Sequence, residues 1–515
     1  MPTIQTINEI ASHLRDASVK QSRLSWAQYT TGYDFGLAEA YEAVVAILSD
    51  KSNFESITTF RDTATDSIDR RKADILFQAF EPFHLSQELN ELSKAMQKKV
   101  RELSSVLNTH RTTFEGAEIT DIDLAQIISN DGNRDRRKAA FLARAQVNKP
   151  LVNAGFIEIL DMRKEYAKLY GAESFTAMQL KRQELDAGMF ASWPAEVQSV
   201  LPIMNKVRSE FAGKFCNDSV LMPWDGNFVS SKIAPSLQTP VNLTKFYDHI
   251  RPFFKQFGFD LDNYNITYGL FSRKNKSEWG YNFPIETAKD SRILANIKDQ
   301  YAEFRVLLHE TGHAVHSFLN DPEEKILNMG ISGIITEGIA KFFEGFLYKP
   351  VFYSQFFAEK GDIVQKEFDD LHNWNTVNSL RSVCEIMFDQ RLYTSTITSL
   401  NDIHALYWKT YKEVLGEEPY ADEPPWAFRI HHTTHPIYLH NYLMGDIACE
   451  MFEKTFLTQK GYAATDGHFA ELGSFIYDSI IKPSGRYPFP ELFSRISGKP
   501  FSLSFVTEEI NQRNV

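Results

Sequence analysis

The chain has 515 residues, a formal net charge of -12 and three cysteines. This length permits two or more domains with a large core, whereas the acidic charge argues against a nucleic-acid partner, because phosphate binding needs a clustered positive surface. The cysteines lie far apart and predict free thiols rather than a disulfide framework. The sequence has neither a membrane-spanning apolar run nor a secretory signal pattern, so we expect a cytoplasmic protein with no membrane partner.

Helical periodicity dominates the first half of the chain. Apolar residues recur at three- and four-residue spacing, with charged residues between them, over about 85–110, 134–146, 156–170 and 243–257. These patterns predict amphipathic helices and a mainly α fold. A basic run at 134–138 falls on the second helix and is interpreted as a solvated face rather than a binding patch.

One region breaks the helical pattern. Residues 268–284 are rich in aromatic and β-favouring types and are interrupted by a polar segment at 273–276, which predicts a small hairpin. An exposed strand can pair with an extended peptide by main-chain hydrogen bonds. Trp279, Gly280 and Tyr281 are the candidate substrate-binding edge, and a purely structural hairpin is the alternative.

The next predicted helix, from about residue 299 to 319, contains the sequence His309-Glu310-Thr311-Gly312-His313. Two histidines four residues apart lie on one face of a helix and can reach the same ion, and this HExxH pattern is typical of hydrolytic zinc sites. Glu310 lies beside them and is placed to take a proton from the attacking water. The alternative is a chance match on a helix with core histidines.

A second helix is predicted over about 334–348, after a loop that is long enough for the chain to reverse. It carries Glu337, the predicted third ligand of one Zn²⁺ per chain, and Glu344 seven residues later on the same face. A closed structural site would need a fourth strong ligand such as cysteine, and none is nearby in the sequence. The pattern therefore indicates a hydrolytic zinc site with one open position.

A third group of chemically active residues lies at 431–446. Pro436 fits the first turn of a helix that runs to about residue 452, which would place Tyr438 and Tyr442 on one face. A phenol and an imidazole opposite the metal could donate hydrogen bonds to an oxyanion, so His432, Tyr438 and Tyr442 are predicted catalytic residues. His435 is a weaker substrate-binding candidate. A surface histidine cluster or a second metal site is the alternative.

Together these motifs resemble the oligoendopeptidase F and thimet oligopeptidase family of zinc metallopeptidases. The resemblance covers the block HETGHAVHS at 309–317, the glutamates that follow it, and a downstream pattern formed by His432, Pro436, Tyr438, Tyr442 and Gly445. The chain departs from its relatives at Ala340, where many have a small polar residue. Lys341 stands where peptidases similar to angiotensin-converting enzyme have an acidic residue, so the surroundings of the zinc ligands can differ from theirs.

The resemblance implies a mainly helical, elongated, two-lobed fold with zinc at the floor of a deep channel that admits short, unfolded peptides. It implies an N-terminal helical part at 1–150 that covers the channel. A catalytic part would follow at 151–515, with the zinc site at 299–348 and the transition-state block at 431–446. The expected activity is that of an oligoendopeptidase acting on short peptides, as a monomer or homodimer.

Two alternatives share the zinc site or the fold. Carboxypeptidase Taq-like enzymes and angiotensin-converting-enzyme-like dipeptidyl carboxypeptidases have similar motifs but act at peptide C-termini. Such an enzyme needs a cation for the substrate carboxylate, and Arg381 or Arg429 could supply it. A catalytically inactive, zinc-stabilised peptide-binding protein is a third possibility. An intact Glu310 argues against it, since a site that only binds has no use for a base.

Overall fold

The computed structural model describes residues 2–277 and 280–512. The chain forms two compact units, each assembled from three segments. Unit 1 comprises Met1–Leu85, Ser236–Gly361 and Met444–Phe501, and unit 2 comprises Ser86–Pro235, Asp362–Leu443 and Ser502–Val515. The boundary predicted at residue 150 falls inside unit 2.

Helices make up most of the N-terminal half of the chain. The first segment of unit 1 contains α1 (Ile4–Thr31), α2 (Leu37–Leu48), α3 (Lys51–Thr63) and α4 (Ser67–Phe80). The first segment of unit 2 contains α5 (Gln87–Thr109), β1 (Thr112–Phe114), β2 (Ala117–Ile119), α6 (Asp121–Asn130), α7 (Arg134–Ala143), α8 (Asn148–Asn153), α9 (Phe156–Tyr170), α10 (Phe175–Arg182), α11 (Trp193–Cys216) and α12 (Gly226–Ile233).

The second segment of unit 1 contains α13 (Phe246–Gln256), β3 (Ile266–Gly269), β4 (Tyr281–Glu286), β5 (Asp290–Leu294), α14 (Phe304–Leu319), α15 (Gly333–Gly345) and α16 (Pro350–Phe357). The remainder contains α17 (Gly361–Ser379), α18 (Ser382–Leu392), α19 (Leu400–Leu415), α20 (His440–Lys460), α21 (Phe469–Ile476), α22 (Phe489–Ser497) and α23 (Ser504–Gln512). The prediction of a mainly helical chain with a small sheet is confirmed, and the helices predicted at 85–110, 134–146, 156–170 and 243–257 correspond to α5, α7, α9 and α13.

The small sheet of unit 1 has the strand order β3-β5-β4. β3 pairs in parallel with β5, and β4 pairs antiparallel with β5, with Tyr281 opposite Leu294. The hairpin predicted over 268–284 is therefore wrong, because β3 and β4 flank β5 instead of pairing with each other. The polar segment between them is a long connection held by the Lys276 ammonium, which donates to the carbonyl oxygens of Gly269 at 2.6 Å and Phe271 at 3.0 Å.

An aromatic core supports the helices that carry the candidate metal ligands in unit 1. Phe254 of α13 lies 4.7 Å, centroid to centroid, from Phe343 of α15, and Phe304 of α14 lies 5.3 Å from Phe352 of α16. Aromatic pairs at such separations stabilise a core by more than their buried area alone. The two helices are therefore fixed against a rigid apolar layer, while β4 and β5 contact α14 from the sheet.

Helices α1 to α4 share a separate apolar cluster with the loop that connects α14 to α15. Ile7, Leu76 and Phe80 are fully buried in it, together with Ile326 and Leu327 from the loop. Burial of this kind holds the loop in place through the hydrophobic effect. None of the helices in the described part of the chain has the length and apolar character needed to cross a membrane.

Candidate active site

The residues of the HExxH motif lie on α14, as predicted. One face of this helix is formed by the buried side chains of Leu307, Leu308 and Val315. His309 and His313 lie on another face and are partly exposed. The helix is thus anchored by its apolar face and presents both histidines on one side, as the four-residue spacing predicts.

Helices α14 and α15 approach each other closely at Gly312. A Cβ atom at this position would lie 3.1 Å from the Cα atom of Ala340 and 3.0 Å from Cδ2 of Phe343, closer than ordinary van der Waals contact. The small residues at 312 and 340 therefore permit the approach that brings Glu337 opposite the histidines. Ala340, a departure from the family pattern, serves here as the small contact residue of α15.

We expect Gly312→Ala to weaken this helix contact and the metal site together. The added methyl group would push α15 outward by a few tenths of an ångström, and overpacking of this kind costs about 1–3 kcal/mol of stability. Thermal unfolding and zinc titration of the purified variant measure both effects. Gly333→Ala is the matched control, because a Cβ atom there meets nothing within 4 Å; equal losses in the two variants would contradict the expectation.

Three side chains converge to form a set of metal-binding atoms. Nε2 of His309 lies 3.6 Å from Oε2 of Glu337, and Nε2 of His313 lies 3.7 Å from Oε1 of the same carboxylate. The three ligand atoms all lie within 4.8 Å of one another. Burial lowers the pKa of His313 to about 3, so its ring is neutral and able to coordinate a metal at neutral pH. Two imidazoles and a carboxylate are the donor set of catalytic zinc sites, and the residues fit such an ion.

Glu344 orients the first histidine, a role that was not assigned from the sequence. Its Oε2 atom lies 2.9 Å from Nδ1 of His309, and Arg305 donates to its Oε1 atom at 3.4 Å. Burial raises the pKa of Glu344, but the hydrogen bond with His309 and the nearby positive charges together outweigh burial, so the pKa is lowered overall. Carboxylate partners of this kind fix the tautomer and direction of a metal-binding imidazole.

Lys341, the second departure from related peptidases, has an acidic partner on another helix. Its ammonium forms an ion pair with Oδ1 of Asp446 on α20. The neighbouring Gly445 allows close packing, because a Cβ atom there would lie 3.3 Å from Cβ of Glu337. Lys341 therefore links α15 to α20, and the carboxylate of Glu337 faces the two histidines.

Glu310 has the environment of a group that exchanges protons near neutral pH. Burial raises the pKa of its carboxyl group to about 7, with opposing contributions from His309, which lowers the pKa, and Glu337, which raises it. The carboxylate also accepts a hydrogen bond from the backbone N–H of Asn282 on β4. A carboxylate with such a pKa can act first as a base and then as an acid.

Strand β4 lies at the edge of the sheet, next to this carboxylate. Tyr281 begins the strand, is 39% exposed, and packs edge-to-face against Tyr29 of α1 with ring centroids 5.6 Å apart. Gly280 precedes the strand and would place a Cβ atom 3.6 Å from the carbonyl oxygen of Leu294. Trp279, the third residue of the predicted edge, lies outside the described residues.

The residues predicted to stabilise an oxyanion lie in unit 2. The prediction that a helix begins at Pro436 is wrong, because α20 begins at His440. Ile437 interrupts the predicted helix, since its backbone is left-handed at φ 56°, a conformation that is unfavourable for a β-branched residue. Tyr438 and Tyr442 nevertheless lie together, with ring centroids 5.6 Å apart, and each is 43% exposed.

His432 lies apart from the two tyrosines in the contacts that the structure shows. It is 1% exposed, its Nδ1 atom lies 3.2 Å from the carbonyl oxygen of Trp426, and its Nε2 atom lies 3.7 Å from Oε2 of Glu385. Burial lowers its pKa to about 4, which keeps the imidazole neutral. The histidine in ring contact with the tyrosines is His431, 5.9 Å from Tyr438 and 5.6 Å from the second tyrosine. Sequence alone offers no basis for choosing between two adjacent histidines.

Two buried side chains and one partly buried side chain, none of which the sequence singled out as functional, hold this block in position. Asp389 accepts the backbone N–H of Ile437 at 2.7 Å, and Gln183 donates to the carbonyl oxygen of the same residue at 3.0 Å. Arg163 donates to the carbonyl oxygen of Thr433 at 2.9 Å. These contacts are difficult to predict from the sequence, because in each one the partner lies more than forty residues away. The hydrogen-bond partner that the described residues give to the exposed His435 ring is local, the hydroxyl of the residue before it, at 2.9 Å.

A comparison with known protein families matches the part of the chain that carries the candidate active site. The model of Peptidase family M3 matches residues 265–511, nearly half of the chain, and the match includes every candidate metal ligand and Glu310. No curated protein sequence matches the chain. The resemblance to the oligoendopeptidase F and thimet oligopeptidase family is confirmed at the level of this family.

The fold is similar to that of several solved structures. A structure of PZ peptidase A with inhibitor 2 has a TM-score of 0.70 and 16% identity, and the match covers 99% of this chain and 93% of that chain. An M32 carboxypeptidase from Deinococcus radiodurans R1 has a TM-score of 0.65 and 13% identity, with coverage of 99% and 98%. A protein described as an oligoendopeptidase F from Bacillus anthracis str. Ames has a TM-score of 0.68 and 17% identity, with coverage of 99% and 91%.

At these low identities the structural likeness shows the fold alone. The family match supports a peptidase activity instead, because it covers the helices that carry the convergent metal-binding side chains and Glu310. Residues 265–511 of this chain therefore resemble the metallopeptidases of Peptidase family M3.

Proposed function

We propose that this chain is a zinc-dependent oligoendopeptidase that hydrolyses bonds within short, unstructured peptides. The observation that carries the proposal is the convergence of His309, His313 and Glu337, with Glu310 beside them on the same helix. A zinc ion held by these three ligands would supply a Lewis acid that polarises the peptide carbonyl and lowers the pKa of water. A donor set of two imidazoles and one carboxylate would favour this metal.

Three groups of unit 1 have different roles in the proposed proton transfer. Glu310 takes a proton from the attacking water and returns it to the nitrogen of the departing amine, a cycle that suits a carboxyl group whose pKa is about 7. Glu344 keeps the His309 ring in its binding orientation through the hydrogen bond at Nδ1. The backbone N–H of Asn282 holds the Glu310 carboxylate in place between transfers.

His432, Tyr438 and Tyr442 are the proposed partners of the tetrahedral intermediate. Exposed phenols can donate hydrogen bonds to an oxyanion, and the mutual contact of the two tyrosine rings restricts their orientation. The neutral imidazole of His432 retains one nitrogen, Nε2, without a hydrogen-bond partner. Because the carbonyl oxygen of Trp426 can only accept, Nδ1 carries the proton of the neutral ring, and Nε2 could donate to a developing negative charge only after the ring is protonated.

Two features favour internal cleavage over cleavage at a C-terminus. Strand β4 is an edge strand next to Glu310, and main-chain pairing along an edge does not depend on the ends of the peptide. The two arginines considered as carboxylate clamps already have acidic partners. Arg381 lies 2.6 Å from Glu417, and Arg429 forms an ion pair with Glu385.

A peptide of about ten residues, blocked at both ends and digested with the zinc-loaded enzyme, tests the proposal by mass spectrometry of the products. Internal fragments are expected, and they should disappear when the metal is chelated. Removal of residues only from peptides with a free C-terminal carboxylate would overturn internal cleavage and favour a carboxypeptidase. Absence of zinc-dependent cleavage of any peptide in a diverse library would favour a protein that only binds peptides.

Asp389→Ala is expected to lower kcat more than it raises KM, as expected of a positioning residue. Without its acceptor, the left-handed backbone of Ile437 relaxes, because such a conformation costs about 1–3 kcal/mol and must be held by its surroundings. The tyrosines that follow then lose their orientation, and we expect kcat to fall about tenfold or more. Steady-state kinetics with a quenched peptide provide the measurement.

Asp389→Asn is the matched control for this prediction. Burial raises the pKa of Asp389 well above its usual range, which favours the neutral carboxyl group that the amide resembles. The asparagine oxygen can still accept the Ile437 N–H, and kcat should remain near that of the wild type. A similar loss of kcat in both variants, with unchanged thermal stability, would show that the acceptor at this position does not orient the block.

A further inference from the structure

Unit 2 contains a cavity of about 670 Å³ that none of the candidate metal ligands lines. Its volume lies within the range of small-molecule sites. The charged groups on its wall are four arginines, at positions 144, 208, 381 and 429, and a single carboxylate, Glu385. Burial lowers the pKa of the lining residues His431 and His432, so the histidines do not add to this charge at neutral pH. The wall is therefore positive within a chain whose net charge is -12.

Three of the four arginines have acidic partners of their own. Arg144 lies 2.8 Å from Asp121, while Arg381 and Arg429 pair with Glu417 and Glu385. Ion pairs of this kind compensate the buried guanidinium charges locally. They also leave these arginines with less capacity to hold a further anion.

Arg208 of α11 differs from the others. It is 7% exposed, and within the described residues no carboxylate lies at ion-pair distance from its guanidinium. Its hydrogen bonds go to neutral acceptors, the Asn378 side-chain oxygen and the carbonyl oxygen of Leu221, the latter at 3.4 Å. Burial lowers the pKa of this arginine to about 9 and repulsion from Arg381 adds to the effect, while the more distant carboxylates of Glu417 and Asp225 oppose it. A buried cation that forms no ion pair remains unfavourable unless an anion binds to it.

The rest of the wall suits an organic molecule. Trp374 of α17 and three tyrosines line the cavity, and the Tyr407 and Tyr411 rings stack with centroids 4.3 Å apart. Aromatic walls with a few polar groups are typical of ligand sites. A guanidinium presents a planar fork of donors that matches both oxygens of a carboxylate or phosphate.

We propose that this cavity is an anion-binding site in which Arg208 pairs with the carboxylate or phosphate group of a small molecule. None of the candidate metal ligands belongs to the site, but His432, a proposed partner of the tetrahedral intermediate, lines it, so the cavity adjoins the oxyanion block of the proposed function. The shared chemistry is an oxyanion facing a buried guanidinium. Its source is either a free inorganic anion or the acidic group of a small organic compound.

Calorimetric titration of the full-length protein with three probes tests the site. Benzoate supplies an aromatic carboxylate, benzamide is its neutral isostere, and inorganic phosphate is the inorganic oxyanion. We expect saturable binding of benzoate or phosphate at one site per chain, and at least about tenfold weaker binding of benzamide, because charge-assisted hydrogen bonds are the stronger class. Tighter binding of benzoate identifies an organic acid as the ligand class, and binding of phosphate alone identifies an inorganic anion.

Arg208→Gln should weaken binding of the anionic probe about tenfold or more and leave any benzamide binding unchanged. Arg136→Gln is the matched control in unit 2, because this arginine does not line the cavity and pairs at the surface with Glu115 and Asp131. If the first variant does not fold, Ser230→Trp fills the cavity while Arg208 stays in place, and it should also abolish binding. Equal affinity of the wild type and the folded Arg208 variant would overturn the proposal.

The metal site must be separated from this cavity in the same experiment, since carboxylates and phosphate also bind zinc. Titration after treatment with a chelator should give unchanged affinity for the anionic probe. Loss of the binding on chelation would place the anion at the metal ligands and overturn the proposal. Absence of binding by both anionic probes, in the presence or absence of metal, would do the same.

Discussion

Glu310→Gln is expected to abolish measurable peptide hydrolysis while leaving the metal in place. The substitution removes the group that exchanges protons with water and the leaving amine, and general acid–base catalysis contributes on the order of 10²- to 10⁴-fold. The amide oxygen can still accept the Asn282 N–H that holds the native carboxylate. The fold should therefore survive, and kcat should fall by about that factor. Stopped assays with a quenched peptide, together with metal analysis of the same sample, measure both quantities.

Glu303→Gln provides the matched control for the loss of a carboxylate at the same helix. Glu303 lies just before α14 and is not part of the candidate site. Its variant should keep both zinc and activity. If Glu310→Gln retained more than about a tenth of the wild-type kcat, the role of Glu310 as the proton-transfer group would be contradicted, since that loss is below the usual range.

Glu337→Ala is expected to remove the metal and, with it, all activity. The carboxylate faces both histidines, at 3.6 Å and 3.7 Å, and two imidazoles alone bind zinc far more weakly than a set of three ligands. Metal content should fall from about one ion per chain to well below that value after dialysis. Loss of the ion should also lower stability, because a ligand at a thousand times its Kd stabilises the folded state by about 4 kcal/mol.

Thermal unfolding with and without a chelator separates this explanation from simple misfolding. Chelation should lower the Tm of the wild type and of Glu359→Ala, an exposed control in unit 1, to similar extents. The Glu337 variant should unfold at the lower temperature in both conditions. A variant that retained stoichiometric zinc and full activity would show that the third ligand is another residue.

The convergence of the candidate metal ligands could be predicted because the information that defines it is local. Two histidines four residues apart share a helix face wherever the helix packs, and the apolar spacing around them indicated that helix. Glu337 was found in the same way, from the helical pattern that follows. The mainly helical fold was also predictable, since amphipathic periodicity recurs in most of the segments that became helices.

The features that were predicted wrongly depend on partners far away in sequence. The order β3-β5-β4 inserts a later strand between two earlier ones, and a turn-like segment at 273–276 does not reveal which strands pair. The start of α20 was misplaced because Ile437 adopts a left-handed backbone held by Asp389, 48 residues earlier. Local propensity favoured a helix at Pro436, and a tertiary hydrogen bond opposed it.

By itself, then, the sequence predicted which helix would bind the metal, which glutamate would complete the ligand set and which carboxylate would move the proton, because helical spacing converts directly into geometry. Only the tertiary structure decided how close the two ligand helices lie, which depends on Gly312 against Ala340, and which carboxylate orients His309. It also decided that Arg208 remains without an acidic partner among the described residues while its neighbours are paired. Burial and charge compensation are sums over residues that the fold brings together from distant parts of the chain.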